Sequence, residues 1–236
     1  MRVYDEKYAQ WEFKLHGESW LQQRMSGKFK TILDVGSNIG EWTKMTKQFQ
    51  PQAEIHMFEI VPETHRIQLQ NIKHLDNVYS NGFGLSSYNG TVDVKCQSNY
   101  NPLSTIVHEL NIGKSKIKPC LVIKGDDYLE SREINSVDYL KIDTEGAEQH
   151  VLKGFERSLA MEKIKIIQFE YTHAAILAKW LLKDAYDYLE PFGYKLGRLC
   201  KDHIKFKSYA IADENFNGPD FIAVHYTAWD MFGLKN

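Results

Sequence analysis

The stretch that most constrains this chain is a short apolar run closed by a glycine turn. Thr31-Ile32-Leu33-Asp34-Val35 runs into Gly36-Ser37-Asn38-Ile39-Gly40, and a helix-forming segment, residues 41–50, follows. Such a run, rich in β-branched residues and stopped by glycine, reads as a strand buried on both faces that opens a β-α unit. Gly36 lets the backbone turn sharply beside a ligand, and Gly40 lets the following helix come close. A second strand, residues 54–60, ends in Glu59-Ile60. A carboxylate there, about 20 residues past the turn, is placed to hold both hydroxyls of a ribose. The bland alternatives are a turn cap for Asp34 and a solvated strand end for Glu59.

The kind of nucleoside is narrowed by what the turn contains. A dinucleotide fingerprint needs glycine where Asn38 stands, which counts against a nicotinamide dehydrogenase. Asp34 places a negative charge beside the turn, which repels a pyrophosphate and suits a ligand carrying ammonium or sulfonium charge. Asp34, Gly36, Ser37, Asn38, Gly40, Glu59 and Ile60 are therefore the expected cofactor residues on this half of the chain.

Further along, strands and helices alternate. The pattern predicts helices over 5–25, 63–71, 147–159 and 174–189. It predicts strands over 77–85, 91–96, 120–124, 137–143, 164–170, 194–199, 208–212 and 221–225. Residues 97–118 are polar and aperiodic, and read as a mobile lid. Strands separated by helices argue for a mainly parallel sheet covered on both faces. With 236 residues the chain suits one such domain. We divide it into an N-terminal helical extension, 1–28, and a main domain, 29–236.

The formal net charge of -2 gives no basic field for nucleic acid. The basic run Lys201, Lys205 and Lys207 around His203 reads as a solvated hairpin. No apolar run reaches the length of a membrane span, and the polar first ten residues are unlike a signal peptide. Cys96, Cys120 and Cys200 have no metal-ligand spacing and read as free thiols in a reducing, cytoplasmic compartment. The lone histidines, His16 and His150 among them, are expected to be structural.

The most specific segment is Val137-Asp138-Tyr139-Leu140-Lys141-Ile142-Asp143-Thr144-Glu145-Gly146-Ala147-Glu148, followed by Val151-Leu152-Lys153-Gly154. It resembles the signature of the FkbM family of methyltransferases. Asp34 to Gly40 resembles the first motif of class I methyltransferases, and the segments 82–90 and 166–170 are similar to that family too. Gly84 stands where the family more often has alanine. The resemblance implies a Rossmann-like α/β fold with a mainly parallel seven-stranded sheet. It also implies S-adenosylmethionine (SAM) as cofactor and O-methylation, often of sugars or natural products, and it adds Gly84 and Asp143 to the cofactor residues.

In a doubly wound sheet the ligands sit at the carboxyl ends of the strands. Asp143 and Glu170 end two neighbouring strands there, and Lys141 lies on the same strand face as Asp143. An alcohol needs a base, or a metal that acidifies it, before it attacks a methyl group. Asp143, Glu170, Glu145, His173 and Lys141 are the expected catalytic set, with Tyr100, His108 and Tyr171 on the acceptor side. A divalent ion on Asp143 and Glu170 is the less favoured version, because two side chains make a thin metal site. The expected acceptor is a hydroxyl of a glycan or glycoside. The alternatives are a small natural product, or a non-catalytic nucleoside-binding partner in a glycan-building complex. The expected partners are that acceptor and no nucleic acid.

Overall fold

A computed structural model describes residues 13, 15–97, 104–109, 111–216 and 220–234. The first described helix is α1 (Glu18–Arg24), so the start of the helix expected over 5–25 lies outside the described residues. Next come β1 (Thr31–Val35), α2 (Glu41–Phe49), β2 (Glu54–Phe58), α3 (Pro62–Ile72) and β3 (Val78–Asn81). A second group of strands follows: β4 (Gly84–Ser86), β5 (Gly90–Gln97), β6 (Ser104–Thr105) and β7 (Ser115–Lys124). Then come α4 (Gly125–Ser131), β8 (Tyr139–Ile142), α5 (Glu148–Gly154), α6 (Glu156–Ala160), β9 (Ile166–Phe169), α7 (His173–Leu177) and α8 (Leu182–Leu189). The chain returns to the main sheet through β10 (Tyr194–Cys200), β11 (His203–Phe206) and β12 (Phe221–His225).

The main sheet has eight strands in the order β11-β10-β12-β9-β8-β1-β2-β3. From β3 to β9 all pairs are parallel, whereas β12 runs antiparallel between β9 and β10. The expected fold class holds, with one strand more than the expected seven. The extra strand is β11, which folds back on β10 as a hairpin around Lys201 and Asp202. The strand expected over 208–212 is absent. Ile211–Asp213 is a 3-10 turn instead, held by Asp213, whose carboxylate accepts from the Ala210 amide at 3.1 Å.

Side chains alternate along the buried strands, so each feeds two cores. Leu33, Leu140 and Ile167 pack on one face with Val151, Leu159 and Leu189 of α5, α6 and α8. Ile32, Tyr139 and Ile166 pack on the other with Leu21, Met45 and Ile72 of α1, α2 and α3. Three expected helices are interrupted, the one over 5–25 at Gly17, whose φ of 86° caps α1. Residues 147–159 divide between α5 and α6 at Phe155. Residues 174–189 divide between α7 and α8, with Lys179 at a positive φ of 55°. Among the described residues no helix is long and apolar enough to cross a membrane.

The segment 97–118 is not a free lid where it is described. Ser115 to Lys118 belong to β7, paired with β5, and Ser104–Thr105 pairs with Cys96 and Lys95. The reason is β pairing along a twisted ribbon whose outer face is exposed, which leaves its polar side chains in water. This four-stranded sheet, β4-β7-β5-β6, forms a wall beside the carboxyl edge of the main sheet.

Candidate active site

Two rows of side chains build the site, and register sets both. Asp34, Lys141 and Gln168 are partners across β1, β8 and β9. Two residues on, Gly36, Asp143 and Glu170 form the next row at the carboxyl edge, where the Asp143 amide donates to Val35 O and the Glu170 amide to Ile142 O. A cavity of about 820 Å³ opens on that edge, lined by Asp34, Gly36, Glu59, Asp143, Glu145 and Glu170 among others.

The glycine turn is closed to phosphate. Gly36 N and Ser37 N both donate to Phe58 O at 3.0 Å, Gly40 N donates to Ser37 O, and Ile39 N to the Asn38 side chain. From α3, Gln68 Nε2 donates to Ser37 Oγ and Asn38 O, and Asn71 Nδ2 to Ile39 O. The amides that would cradle a pyrophosphate in a dinucleotide site are thus spent inside the protein. Asp34 accepts from Thr43 Oγ1 at 2.7 Å, while its buried Oδ1 has no protein partner. Burial raises the Asp34 carboxyl to about 6 against the pull of Lys141. Glu59 is 5% exposed and accepts from the Val61 amide at 2.8 Å, and burial raises it to about 7.

Lys141 is the hub of the lower row. Its ammonium donates to Asp143 Oδ2 at 2.7 Å and lies 5.6 Å from the centre of the Trp42 ring. Burial alone would lower it, but Asp143, Glu18, Asp34 and Asp220 together hold it above the usual lysine range. Glu18 reaches this row from α1, where Gln168 Nε2 donates to its carboxylate at 2.8 Å. Burial, then Asp220, pushes Glu18 up to about 8, and burial raises Asp220 to about 6.

The loop after β8 is held in an unusual shape. Glu145 has φ 52° and Gly146 φ 109°, a left-handed pair that disfavours a side chain at the first position. Glu148 braces it by accepting from Thr144 N, Thr144 Oγ1 and Gly146 N. From the second sheet Thr105 Oγ1 donates to Glu145 O at 2.5 Å. The result places Asp143, Glu145 and Glu170 so that one oxygen of each lies within 4.8 Å of the others, a spacing that could also hold a metal ion. Crowding shows in their acidity. Burial, then Asp143 and Glu148, raises Glu145 to about 8, and burial, then Asp143 and Glu145, holds Glu170 well above the carboxylate range. Eight expected residues besides those three line the cavity: Asp34, Gly36, Ser37, Asn38, Glu59, Ile60, Gly84 and Lys141; Asp143 itself belongs to both the cofactor and the catalytic sets.

Other expected site residues lie elsewhere. Gly40 does not line the cavity. A Cβ there would meet Ile72 Cγ2 at 2.9 Å, so its role is close packing of α2 against α3. Tyr171 is 1% exposed and turned into the core, donating to the Glu214 carboxylate. It follows Glu170 directly, and alternation sends it to the opposite face. His173 is exposed at the start of α7, outside the cavity lining. His108 is exposed in the turn after β6, its Nε2 3.0 Å from Asp93 O. Tyr100 lies outside the described residues.

Several lining residues escaped the sequence reading. Glu18, Trp42, Thr105 and Asp220 line the cavity, and so do His16 and His150, which were expected to be structural. Trp42 had a readable signal, because it sits in the first turn of the helix after the glycine turn. Glu18 and Asp220 had none, because their partners lie in strands far away in sequence.

A mainly parallel sheet with β12 and β11 reversed towards one edge, and a carboxylate-lined cavity at the carboxyl ends, define a class I methyltransferase-type α/β fold. A precorrin-6y C5,15-methyltransferase from Geobacter metallireducens has the same fold (TM-score 0.50, 13% identity, covering 94% of this chain and 89% of that one). Residues 34–196 match the methyltransferase FkbM domain, and the chain belongs to that family. It is 29% identical over 155 residues to the hexuronic acid methyltransferase AglP of Haloferax volcanii, a match covering 64% of this chain and 59% of the relative. It is 27% identical over 155 residues to the methyltransferase sdnD of Sordaria araneosa, covering 53% of this chain and 60% of the relative. The matches thus span about three-fifths of those two relatives' length.

Proposed function

We propose that this chain transfers a methyl group from SAM to a hydroxyl oxygen of a sugar, on a glycan or glycoside. The observation that carries the proposal is the row Gly36–Asp143–Glu170 at the carboxyl edge, facing Glu59 across one cavity. The donor set fits the cofactor. Asp34 Oδ1 and Trp42 Nε1 are buried beside the cavity without protein partners, and the turn amides leave nothing for phosphate. Glu59 would hold the ribose, and Asp34 and Asp143 would answer the positive charges. Bound there, SAM supplies a methyl group already activated by its sulfonium. The similarity to a hexuronic acid methyltransferase favours a sugar acceptor.

The chain's own residues then have two tasks. Asp143, anchored by Lys141, accepts a hydrogen bond from the acceptor hydroxyl and aims its oxygen. Glu170 takes the proton. A carboxylate raised by burial and by its neighbours holds a proton far better than an ordinary one, which suits a base working near neutral pH. The second sheet and α1 wall off the edge and keep water from competing.

The test is turnover of SAM with a panel of glycosides, read as added methyl mass. Glu170→Gln is expected to cut the rate by roughly 10²–10⁴ while leaving cofactor binding near normal, and Asp143→Asn to cut it as much while also weakening cofactor binding. A chelator should do nothing. Loss of turnover with chelator, restored by magnesium or manganese, would replace the direct base with a metal on Asp143, Glu145 and Glu170. Cofactor binding without turnover on any acceptor would favour the non-catalytic partner.

A further inference from the structure

A second hollow of about 390 Å³ lies beside the cofactor cavity. His16 lines both, and Phe221 of the second follows Asp220 of the first, so the two meet at the start of β12. Their charges are opposite. The main cavity is walled by carboxylates, whereas the second is lined by Arg198, Lys201, Lys205 and Lys207, with Asp213 as its acidic member. This cationic cluster sits in a chain whose formal net charge is -2.

Register gathers the cluster on one face of the hairpin. Arg198 and Lys205 are direct partners in the β10–β11 hairpin, so both side chains leave the same face. Lys207, two residues beyond Lys205, projects from that face too, and Asp213 at 2.7 Å answers one positive charge. Lys201 adds another from the hairpin turn. The hollow has room for a carboxylate or phosphate group, and its lysines offer it positive charge.

We propose that this hollow is an anion subsite for the acceptor. The molecule to be methylated carries a carboxylate or a phosphate, which docks at Lys201, Lys205 and Lys207 while a hydroxyl reaches Asp143 and Glu170. The proposal rests on the methyl-transfer reading and adds the chemical class of the acceptor. The patch is too small, and too close to an acidic cavity, to track a nucleic-acid backbone.

Calorimetry of the full chain with methyl β-D-glucuronide, glucose 1-phosphate and methyl β-D-glucoside tests it. At least one anion is expected to bind about tenfold or more tightly than the neutral glycoside, the usual worth of charge-assisted hydrogen bonds. That advantage should shrink as salt is raised. The glucuronide and the phosphate arms tell the two anion sources apart. In Lys201→Gln/Lys205→Gln the advantage should collapse, with the melting temperature and SAM affinity retained. Equal binding of all three sugars, or an advantage that survives in the double variant, overturns the subsite. SAM turnover is scored separately. Anion binding without turnover on any sugar refutes methyl transfer and leaves the subsite standing, whereas turnover with no anion preference does the reverse.

Discussion

Replacing Lys141 by methionine keeps the length of the side chain and removes the ammonium. In the native protein that ammonium is 2.7 Å from Asp143, its side chain is 4% exposed, and it stands in the field of Glu18, Asp34 and Asp220. Breaking one side of a buried ion pair costs about 3–5 kcal/mol, chiefly because the remaining charge is left uncompensated. The Asp143 side chain is 38% exposed, so water recovers part of this and the lower end, about 3 kcal/mol, is expected. In a domain of this size each kcal/mol moves Tm by about 2–4 °C, giving a fall of about 6–12 °C. The pH dependence is the sharper check. Burial raises Asp34 and Asp220 to about 6 and Glu18 to about 8, and Lys141 pulls each of them down. Raised folded values mean that the folded state holds more protons than the unfolded chain, so stability falls as pH climbs from about 4 to 8. Without Lys141 these values rise further and the fall steepens. The deficit of Lys141→Met should therefore be small at pH 5 and largest near pH 8.5, measured by circular dichroism melting of both proteins. An equal deficit at both pH values would refute the electrostatic account and leave only lost packing.

Other perturbations separate the roles of neighbouring residues. Glu59→Ala is expected to weaken SAM binding by about 1.5–3 kcal/mol in calorimetry, the usual worth of charged hydrogen bonds; unchanged affinity would remove Glu59 from the site. Gly40→Ala, at φ 92° and facing Ile72, should lower stability by about 1–2 kcal/mol while cofactor affinity holds; a loss of affinity with normal melting would put Gly40 back in the cavity. Because Glu170 and Glu145 are both raised, they lose their protons only as pH increases, so methyl transfer should speed up across the neutral and mildly alkaline range. A rate already flat from pH 5 to 9 would mean that neither carboxyl is the base.

What could be read from the residues was whatever depends on short spacing. The turn from Gly36, the carboxylate at Glu59 and the row through Lys141, Asp143 and Glu170 follow from strand alternation within a few positions. Alternation also held the correction for Tyr171, which must leave Glu170 on the opposite face. Breaks in the helices were hidden because Phe155 and Lys179 are compatible with helix in isolation and are displaced by packing. Strands over 91–96 and 120–124 were expected, but the first half of β7 was hidden because Ser115 to Lys118 mix Lys with a lone Ile on an exposed ribbon, a pattern that reads as loop. The Glu18–Gln168 contact spans 150 residues, and nothing local in either segment announces it.

The position of β12 bears on how the chain can be made. It is the last strand in chain order among the described residues, yet it lies in the interior of the sheet, hydrogen-bonded to β9 on one side and β10 on the other. During synthesis the whole parallel half of the sheet can assemble while Ile166–Phe169 still shows an open, apolar edge. An unpaired apolar edge is a template for the next chain on the ribosome track. The nascent protein is therefore most exposed to aggregation in the interval between the emergence of β9 and that of β12, and a chaperone acting on it has that one edge to cover.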